Sequence, residues 1–222
     1  MKKHIVIFSH WFWVPKDSNW LFTDISEMLS NYNISSIMFN YNNYSSDGKE
    51  VFVKPFSEQV KILQSVIDKT KENYPDVVID IIWHSQGSVI LALADLTGIR
   101  KVISISPFFH TDIQEIMERH KELPESEIDF NGISRRIRSD NTTTIIPREY
   151  RAERFATDVY DLYNKLALKS DLTIIRAGED EIMKAPDLLK VFNAYIINIH
   201  GNHDFKWNDR KWLIKILENI LK

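Results

Sequence analysis

The sequence predicts an α/β protein in which a doubly wound, mainly parallel, six-stranded sheet carries a helical lid insertion. Short apolar runs rich in Ile and Val alternate with amphipathic stretches along the chain. Most of these runs lack the two-residue alternation of a half-exposed strand, which indicates strands that are covered on both faces. The regular alternation of the two kinds of segment favours a parallel sheet with right-handed crossovers.

Six apolar runs are predicted to be the strands of this sheet. They span residues 5–9, 34–40, 77–83, 101–106, 172–177 and 194–199. Apolar residues at helical spacing predict the helices between them. These helices lie at residues 20–29, after Pro55, and at 88–96, 157–168, 186–192 and 207–221.

One segment interrupts the alternation of strands and helices. Residues 107–156 are polar, charged and helix-prone in pieces, and no strand is predicted among them. An insertion of that size between two strands of an open sheet is typical of a lid or cap. We therefore expect a single domain over residues 1–222, with residues 107–156 as its lid.

The composition sets limits on the kind of protein. A chain of 222 residues suits one domain with its own core, and a net charge of -3 gives no reason to expect a nucleic-acid partner. The absence of Cys excludes disulfides, thiol nucleophiles and thiolate metal sites. No apolar run approaches the roughly 18 residues of a membrane span. We expect a soluble, cytoplasmic protein that needs no membrane, and its oligomeric state stays open.

Ser85 lies where a predicted strand meets a predicted helix, in the string Trp83-His84-Ser85-Gln86-Gly87. A strand that turns sharply into a helix can lift a serine hydroxyl above the sheet as a nucleophile. The turn favours small residues two places either side of the serine, and Gly87 fits on one side whereas Trp83 occupies the other. Serine is also a common helix N-cap, so this string alone leaves both interpretations open.

Polar residues follow other predicted strands as well. In open parallel sheets, functional residues gather at the carboxyl ends of the strands. Ser85, then an acid among Glu179, Asp180 and Glu181, then His203 each follow a strand in that order. Because three independent positions agree, the order favours a nucleophile over a helix cap at the serine.

A serine hydroxyl is a weak nucleophile and needs an adjacent base. We predict His203 as this base, and Asp180 as the carboxylate that holds the imidazole in the right tautomer. His200, at the strand end, is the alternative base, and Glu181, followed by Glu179, is the alternative acid. The serine hydroxyl and the His203 ring should then lie about 2.6–3.2 Å apart, or somewhat farther without substrate.

The strings around these residues resemble those of the α/β-hydrolase superfamily. They are Ile5-Val6-Ile7-Phe8-Ser9-His10, Lys16-Asp17-Ser18-Asn19-Trp20, His84-Ser85-Gln86-Gly87, Ser106-Pro107, Gly178-Glu179-Asp180-Glu181-Ile182 and Gly201-Asn202-His203-Asp204-Phe205. The chain looks most like small bacterial serine esterases of the cinnamoyl/feruloyl-esterase and serine-aminopeptidase-like groups. The resemblance implies a minimal α/β-hydrolase fold and a catalytic triad in the chain order Ser, Asp, His.

The resemblance also implies an oxyanion hole. In the family the first strand ends in a His-Gly pair and the next residue donates a backbone N–H. Here His10 matches, Trp11 replaces the glycine, and Phe12 takes the donor position. The second donor is the N–H of Gln86, directly after the nucleophile. Trp11 and Trp83 stand at two usual glycine positions around one serine, so we expect their indoles to pack near each other.

Two further groups of residues are candidates for substrate contacts. Trp11, Trp13 and Tyr41 are candidates for the wall of an apolar acyl or aryl pocket, with packing under the lid as the alternative. Arginines in the insertion suit a carboxylate or phosphate, although a solvated lid surface paired with Glu149 and Glu153 is favoured. They are Arg135, Arg136, Arg138, Arg148, Arg151 and Arg154.

These observations lead to two hypotheses. The first is a serine hydrolase that cleaves a small carboxylic ester, or a thioester or amide, through an acyl-enzyme, with no cofactor and no metal. The second is a non-catalytic protein that kept the α/β-hydrolase fold and binds a ligand or partner, as the two tryptophans suggest. The presence of all three triad residue types favours the enzyme.

Overall fold

The computed structural model describes residues 2–10, 16–17, 20–109, 118, 126–138, 140–183 and 188–222. Ten strands lie in this part of the chain: β1 His4–Ser9, β2 Ser35–Met38, β3 Asn43–Tyr44, β4 Glu50–Phe52, β5 Val78–His84, β6 Ile99–Ile105, β7 Ser134–Ile137, β8 Thr143–Ile146, β9 Asp171–Ala177 and β10 Tyr195–Ile199. The helices described are α1 Leu21–Ser30, α2 Phe56–Asn73, α3 Gly87–Leu93, α4 Arg148–Ala156, α5 Val159–Ala167 and α6 Asn208–Leu221.

The central sheet confirms the predicted fold class. Its six strands run in the order β10-β9-β6-β5-β1-β2, and all neighbouring pairs are parallel. Each of the six predicted strands is found, with ends within two residues of the prediction. The predicted helix at residues 186–192 is reduced to a short 3-10 turn at Leu188–Lys190, with residues 186–187 outside the described part.

Helices cover both faces of this sheet, which explains why its strands are apolar throughout. On one face, Phe8 and Ile103 pack with Phe22 of α1 and Leu213 of α6. On the other face, the strand residues pack against apolar side chains of α2, α3 and α5; the buried members from these helices include Leu63, Ile67, Val89, Ile90, Tyr163 and Leu166. This burial stabilises the sheet by roughly 25 cal/mol for each Å² of apolar surface that is removed from water.

The insertion differs from the strandless, helical segment that we expected. β7 and β8 form an antiparallel hairpin, and β8 pairs in parallel with β4 to give a second sheet in the order β3-β4-β8-β7. The physical reason lies in residues 142–146, a run of five β-branched side chains that favours extended backbone. The preceding Asn141 turns the chain with a φ of 61°. A lid role for residues 107–156 stays a prediction.

Within the described residues, no helix combines the length and the apolar character that a bilayer crossing requires.

A buried carboxylate ties the sheet together at the amino ends of its strands. The side chain of Asp80 on β5 is fully buried. Its carboxylate accepts hydrogen bonds from His4 Nε2 at 2.7 Å, Arg100 Nε at 2.9 Å and the Lys101 N–H at 3.1 Å. Arg100 also donates to the Leu221 carbonyl at 3.2 Å, so one network joins β1, β5, β6 and the end of α6.

The pKa of Asp80 reflects this network. Burial alone raises the pKa of the carboxyl, but the hydrogen bonds from Arg100 and His4 and the charge of Arg100 outweigh it, so the net pKa lies below its ordinary value. A carboxyl with a lowered folded-state pKa contributes stability above its unfolded pKa and loses it as the pH falls through the folded value.

We expect Asp80→Asn to lower the free energy of unfolding by about 3 kcal/mol at neutral pH. This value is near the lower end for breaking a buried ion pair, because Arg100 still reaches solvent. Urea denaturation followed by circular dichroism measures this change. The difference between wild type and variant should shrink once the pH falls below about 4.

The matched control for this substitution is Asp171→Asn. Asp171 pairs with the neighbouring Lys101 at 3.2 Å, but its side chain is 58% exposed. The loss there should stay under about 1 kcal/mol. Equal losses in the two variants would contradict the role given to Asp80.

Candidate active site

Ser85 lies in a strained turn between β5 and α3. Its φ is 53°, in the left-handed region that non-glycine residues rarely adopt. The turn is held on both sides, since the Ser85 N–H donates to the Ile105 carbonyl at 3.0 Å and the Ser88 hydroxyl donates to the Ser85 carbonyl at 2.7 Å. The Ser85 side chain is buried, and its Oγ forms no hydrogen bond in the described structure.

Gly87 lets the helix begin directly against the end of β1. A Cβ at this position would lie 2.5 Å from the Ser9 carbonyl oxygen and 2.9 Å from the His10 carbonyl oxygen. Both are backbone atoms, so neither can move aside cheaply. The small residue that the sequence placed two positions after Ser85 is therefore required by close backbone approach.

Trp83 fits two positions before Ser85 because its neighbours on both sides are small. In the sheet register it lies between Ser9 of β1 and Ser104 of β6. The indole is fully buried, and its N–H donates to the Ser104 hydroxyl. The tryptophan therefore fills the core beneath the turn. Trp11, its predicted packing partner, lies outside the described residues.

His203 and Asp180 form a buried pair at the carboxyl edge of the sheet. Asp180 follows β9 and His203 follows β10, and His203 Nδ1 lies 2.8 Å from Asp180 Oδ2. The His203 side chain is fully buried and that of Asp180 is 6% exposed. Because a carboxylate only accepts, Nδ1 carries the proton in this bond, which makes Nε2 the ring nitrogen able to accept one.

The Asp180 carboxylate is held ionised by its surroundings. Burial raises the pKa of this carboxyl, but the hydrogen bond and charge of His203 and the N–H groups of Met183 and Ile182 together lower its pKa below the ordinary value. The two N–H groups donate to Asp180 Oδ1 at 2.7 and 3.0 Å. The turn after β9 thus aims one oxygen at the backbone and the other at the imidazole.

The structure separates the alternatives that the sequence left open. Glu181 accepts a hydrogen bond from the His203 backbone N–H at 3.2 Å, and does not contact its ring nitrogens. His200 is 69% exposed and lies between Glu179 and Asp209, each at 3.0 Å. The hydrogen bond to Asp209 and the charges of both acids raise the pKa of His200. Asp180 is thus hydrogen-bonded to the imidazole of His203 and Glu181 to its backbone, and the choice of the triad acid stays a prediction.

The predicted hydrogen bond between Ser85 Oγ and His203 is not formed in this structure, since Ser85 Oγ has no partner. Such contacts are often long or poorly aligned without substrate. Ser85 and His203 nevertheless lie at the same edge of the sheet. They follow the carboxyl ends of β5 and β10, which are parallel strands of one sheet.

His84, directly before the serine, supports the histidine loop. Its Nε2 donates to the His203 carbonyl at 3.0 Å, and the two rings lie 5.0 Å apart. Burial, followed by the charge of His203, lowers the pKa of His84 to about 4. His84 is therefore neutral near pH 7. The position of His84 next to Ser85 is the one feature of the sequence that pointed to this role.

Gln86 is anchored by the insertion. The buried Tyr150 of α4 donates from its hydroxyl to Gln86 Oε1 at 2.6 Å, and its ring packs edge-on to Phe56 of α2. Burial raises the pKa of Tyr150 to about 12, so the hydroxyl stays protonated as a donor. The backbone N–H of Gln86 lies at the first turn of α3, where N–H groups lack intrahelical acceptors. Tyr150 was not predicted as part of the site, since no motif around it distinguishes it from a core residue.

Tyr41 lies beneath the site as a support. It is 1% exposed, its hydroxyl is hydrogen-bonded to Ser9 Oγ at 2.6 Å, and its N–H donates to His10 Nε2 at 3.1 Å. These contacts bury Tyr41 against the end of β1, and both a pocket wall and packing under the lid stay predictions for it. Trp11, Phe12 and Trp13, the other predicted pocket and oxyanion residues near β1, lie outside the described residues.

Two arginines of the insertion contact partners other than Glu149 and Glu153. Arg135 donates to Glu50 at 2.7 Å, and Arg151 donates to the Asp129 carbonyl at 2.7 Å. Glu153 accepts two hydrogen bonds from Ser57, at 2.6 and 3.0 Å, and so joins α4 to the start of α2. The hairpin and α4 thus dock on the body of the protein through these polar contacts.

One group of possible metal ligands occurs among the described residues. One ligand atom each of His84, His203 and Asp204 lies within 4.8 Å of the others. The sequence showed no metal-ligand spacing because His84 is far from His203 and Asp204 along the chain. They come together only in the fold, where the end of β5 lies near the loop after β10. Since it shares His203 with the Asp180 pair, we assign it to the same site.

Comparison with known proteins identifies the fold. No family model and no curated protein matches the sequence. Among solved structures, Est1E from Butyrivibrio proteoclasticus matches 99% of this chain and 87% of its own, at 16% identity and a TM-score of 0.67. The same protein with ferulic acid bound gives 17% identity and a TM-score of 0.71 over 99% and 88% of the chains.

An esterase from Pyrococcus furiosus is also similar. It matches 99% of this chain and 81% of its own, at 15% identity and a TM-score of 0.69. At such identities the likeness concerns the fold. The chain has the α/β-hydrolase fold, as the resemblance of its motifs implied.

We expect Gly87→Ala to lower the free energy of unfolding by about 1–3 kcal/mol, because the new methyl group meets two fixed carbonyl oxygens. Thermal and urea denaturation measure the loss. Gly178→Ala is the control and should lower the stability less, since the nearest atom to its Cβ would be the Ile199 carbonyl oxygen, at 3.2 Å. A Gly87→Ala protein as stable as wild type would show that α3 can move away from the end of β1 at little cost.

Proposed function

We propose that the protein is a serine hydrolase that cleaves a small carboxylic ester through an acyl-enzyme. The observation that carries this proposal is the left-handed Ser85 at the end of β5, on the same sheet edge as the buried Asp180–His203 pair. A nucleophile on a strained elbow, a histidine and a carboxylate that orients it are the parts of a catalytic triad.

In the proposed reaction, Ser85 Oγ attacks the carbonyl carbon while His203 Nε2 takes the hydroxyl proton. The carbonyl oxygen becomes an oxyanion that accepts hydrogen bonds from the backbone N–H of Gln86 and, on the sequence argument, of Phe12. His203 then gives its proton to the departing alcohol. Water, deprotonated by His203, hydrolyses the acyl-serine and restores Ser85.

Asp180 has an electrostatic and orienting role in this scheme. It keeps the Nδ1–H of His203 pointed at itself and stabilises the imidazolium that forms when the serine proton is transferred. Its lowered pKa supports this role, because a carboxylate that stays ionised can balance the imidazolium charge. No cofactor takes part in these steps.

The structural neighbours support an ester as the bond that is cleaved. Est1E has been solved with ferulic acid bound, and the protein from Pyrococcus furiosus is an esterase. Thioesters and amides use the same machinery, so they remain further substrates to assay. The alternative hypothesis, a non-catalytic binding protein with the same fold, requires that Ser85 is not reactive.

We expect a fluorophosphonate probe to label the wild-type protein at Ser85. Labelling should vanish in Ser85→Ala and fall by at least two orders of magnitude in His203→Ala, because the hydroxyl loses its base. Gel fluorescence and intact-mass spectrometry measure the reaction. Ser30→Ala, which changes an exposed serine at the end of α1, is the matched control and should label like wild type. A folded wild-type protein that does not label would favour the binding-protein hypothesis.

We expect Asp180→Asn to lower kcat on a short-chain aryl ester by about 10³–10⁴-fold, because an amide cannot fix the tautomer or balance the imidazolium. Glu181→Gln should stay within about tenfold of wild type, since this side chain contacts only the His203 backbone. Initial rates on both purified variants, with circular dichroism as a folding check, decide between them. If only the Glu181 change abolishes turnover, the assignment of Asp180 is wrong.

A further inference from the structure

A small recess adjoins the Asp180 carboxylate. It is partly open to solvent, has a cavity volume of about 10 Å³, room for roughly one water-sized group, and is lined by Ser106, Pro107, Phe109, Arg176, Asp180, Met183 and Leu188. Ser106 directly follows β6, the strand paired with β5, and β5 ends beside Ser85. The recess therefore opens next to the proposed triad, and we call it the acid-side recess.

Two donors in this recess have no hydrogen-bond partner in the protein. Ser106 is 2% exposed, its φ is 44°, and its Oγ is buried without a partner. Arg176 Nε is buried and likewise unpartnered. Buried polar groups are nearly always satisfied in folded proteins. Of the seven buried side-chain atoms without a partner in the described part of the chain, these two line one recess, where a ligand with acceptor atoms would satisfy both.

Arg176 occupies an unusual place for a cation. It lies on β9 two residues after Ile174, and so faces the apolar side of the sheet that includes Ile174, Met183 and Phe109. The cation takes part in no ion pair with the described carboxylates, in contrast to Arg100 and Arg210. A guanidinium placed against apolar surface without an anion costs stability, and such costs are concentrated at functional sites.

Asp180 does not serve as the counterion of Arg176, although both line the recess. One Asp180 oxygen accepts from His203 Nδ1, and the other accepts from the N–H groups of Ile182 and Met183. The carboxylate is thus committed to the histidine. The guanidinium remains available to an anion that comes from outside the protein.

We propose that the acid-side recess binds a carboxylate carried by the substrate, with the Arg176 guanidinium and the Ser106 hydroxyl as donors. A guanidinium presents parallel N–H groups that match a carboxylate. The substrate class is then a small ester that bears a free carboxylate in its acyl or its alcohol part. This inference rests on the proposed esterase function for the bond that is cleaved, and adds the group that is recognised.

The kinetic test compares esters of matched length with and without a carboxylate. The acyl pair is mono-4-nitrophenyl adipate and 4-nitrophenyl hexanoate, and the alcohol pair is 4-acetoxybenzoate and phenyl acetate. We expect Arg176→Met to lower kcat/KM about ten- to a hundredfold on the acidic member of one pair, the effect of losing a charged hydrogen bond. The neutral member should change less than twofold, and Arg176→Lys should recover part of the loss.

Controls separate recognition from a structural role. Arg148→Met removes an exposed positive charge outside the recess and should leave all ratios unchanged. The melting temperature of Arg176→Met should equal or exceed that of wild type, since an unpaired cation is removed. The inference is overturned if Arg176→Met leaves both acidic-to-neutral ratios unchanged, or if it lowers the rates on acidic and neutral esters alike.

A binding measurement distinguishes failure of this inference from failure of the proposed function. In Ser85→Ala, millimolar monomethyl adipate should raise the melting temperature, and Ser85→Ala/Arg176→Met should not respond. If wild type cleaves none of the esters but this difference is seen, the esterase proposal fails and the carboxylate site stands. If the neutral esters are cleaved and no Arg176-dependent binding or selectivity is found, the carboxylate site alone is wrong.

Discussion

Helix α3 begins so close to β1 that the Gly87 position has no room for a methyl group beside the Ser9 and His10 carbonyls. This approach forces the chain to leave β5 through a left-handed Ser85, whose φ is 53°. The strain of such a residue is of order 1–3 kcal/mol and is held by the packing on both sides. The position of the serine hydroxyl, and every contact proposed for it, depends on that one close approach.

The two edges of the sheet use buried carboxylates for different purposes. At the amino ends, Asp80 of β5 accepts from donors on β1 and β6 and so joins three strands. At the carboxyl ends, Asp180 shares its oxygens between its own turn and His203. Both lie in polar cages that lower the carboxyl pKa against the effect of burial. The second carboxylate is coupled to His203, the base of the proposed reaction.

The strands were predictable because their apolar runs are buried on both faces, and the order of Ser85, an acid and His203 was visible because each follows a strand. The preference for Asp180 over Glu181 was a prediction from the same short acidic string, and the contact that distinguishes them depends on a turn that points one Asp180 oxygen at two N–H groups. The hairpin of the insertion was missed because its β-branched run is surrounded by charge. Arg176 left a signal that was overlooked, as the one charged residue inside residues 172–177.

The hydrogen bond from Tyr150 to Gln86 limits which segments of this fold can be exchanged between related proteins. The insertion is joined to Gln86, the residue after Ser85, so the two segments cannot be exchanged independently. A chimera that received another insertion without a donor at this place would leave a buried amide oxygen unsatisfied, at a cost of about 1–3 kcal/mol. Recombination among proteins of this architecture is therefore constrained to inherit the glutamine and the tyrosine as a pair.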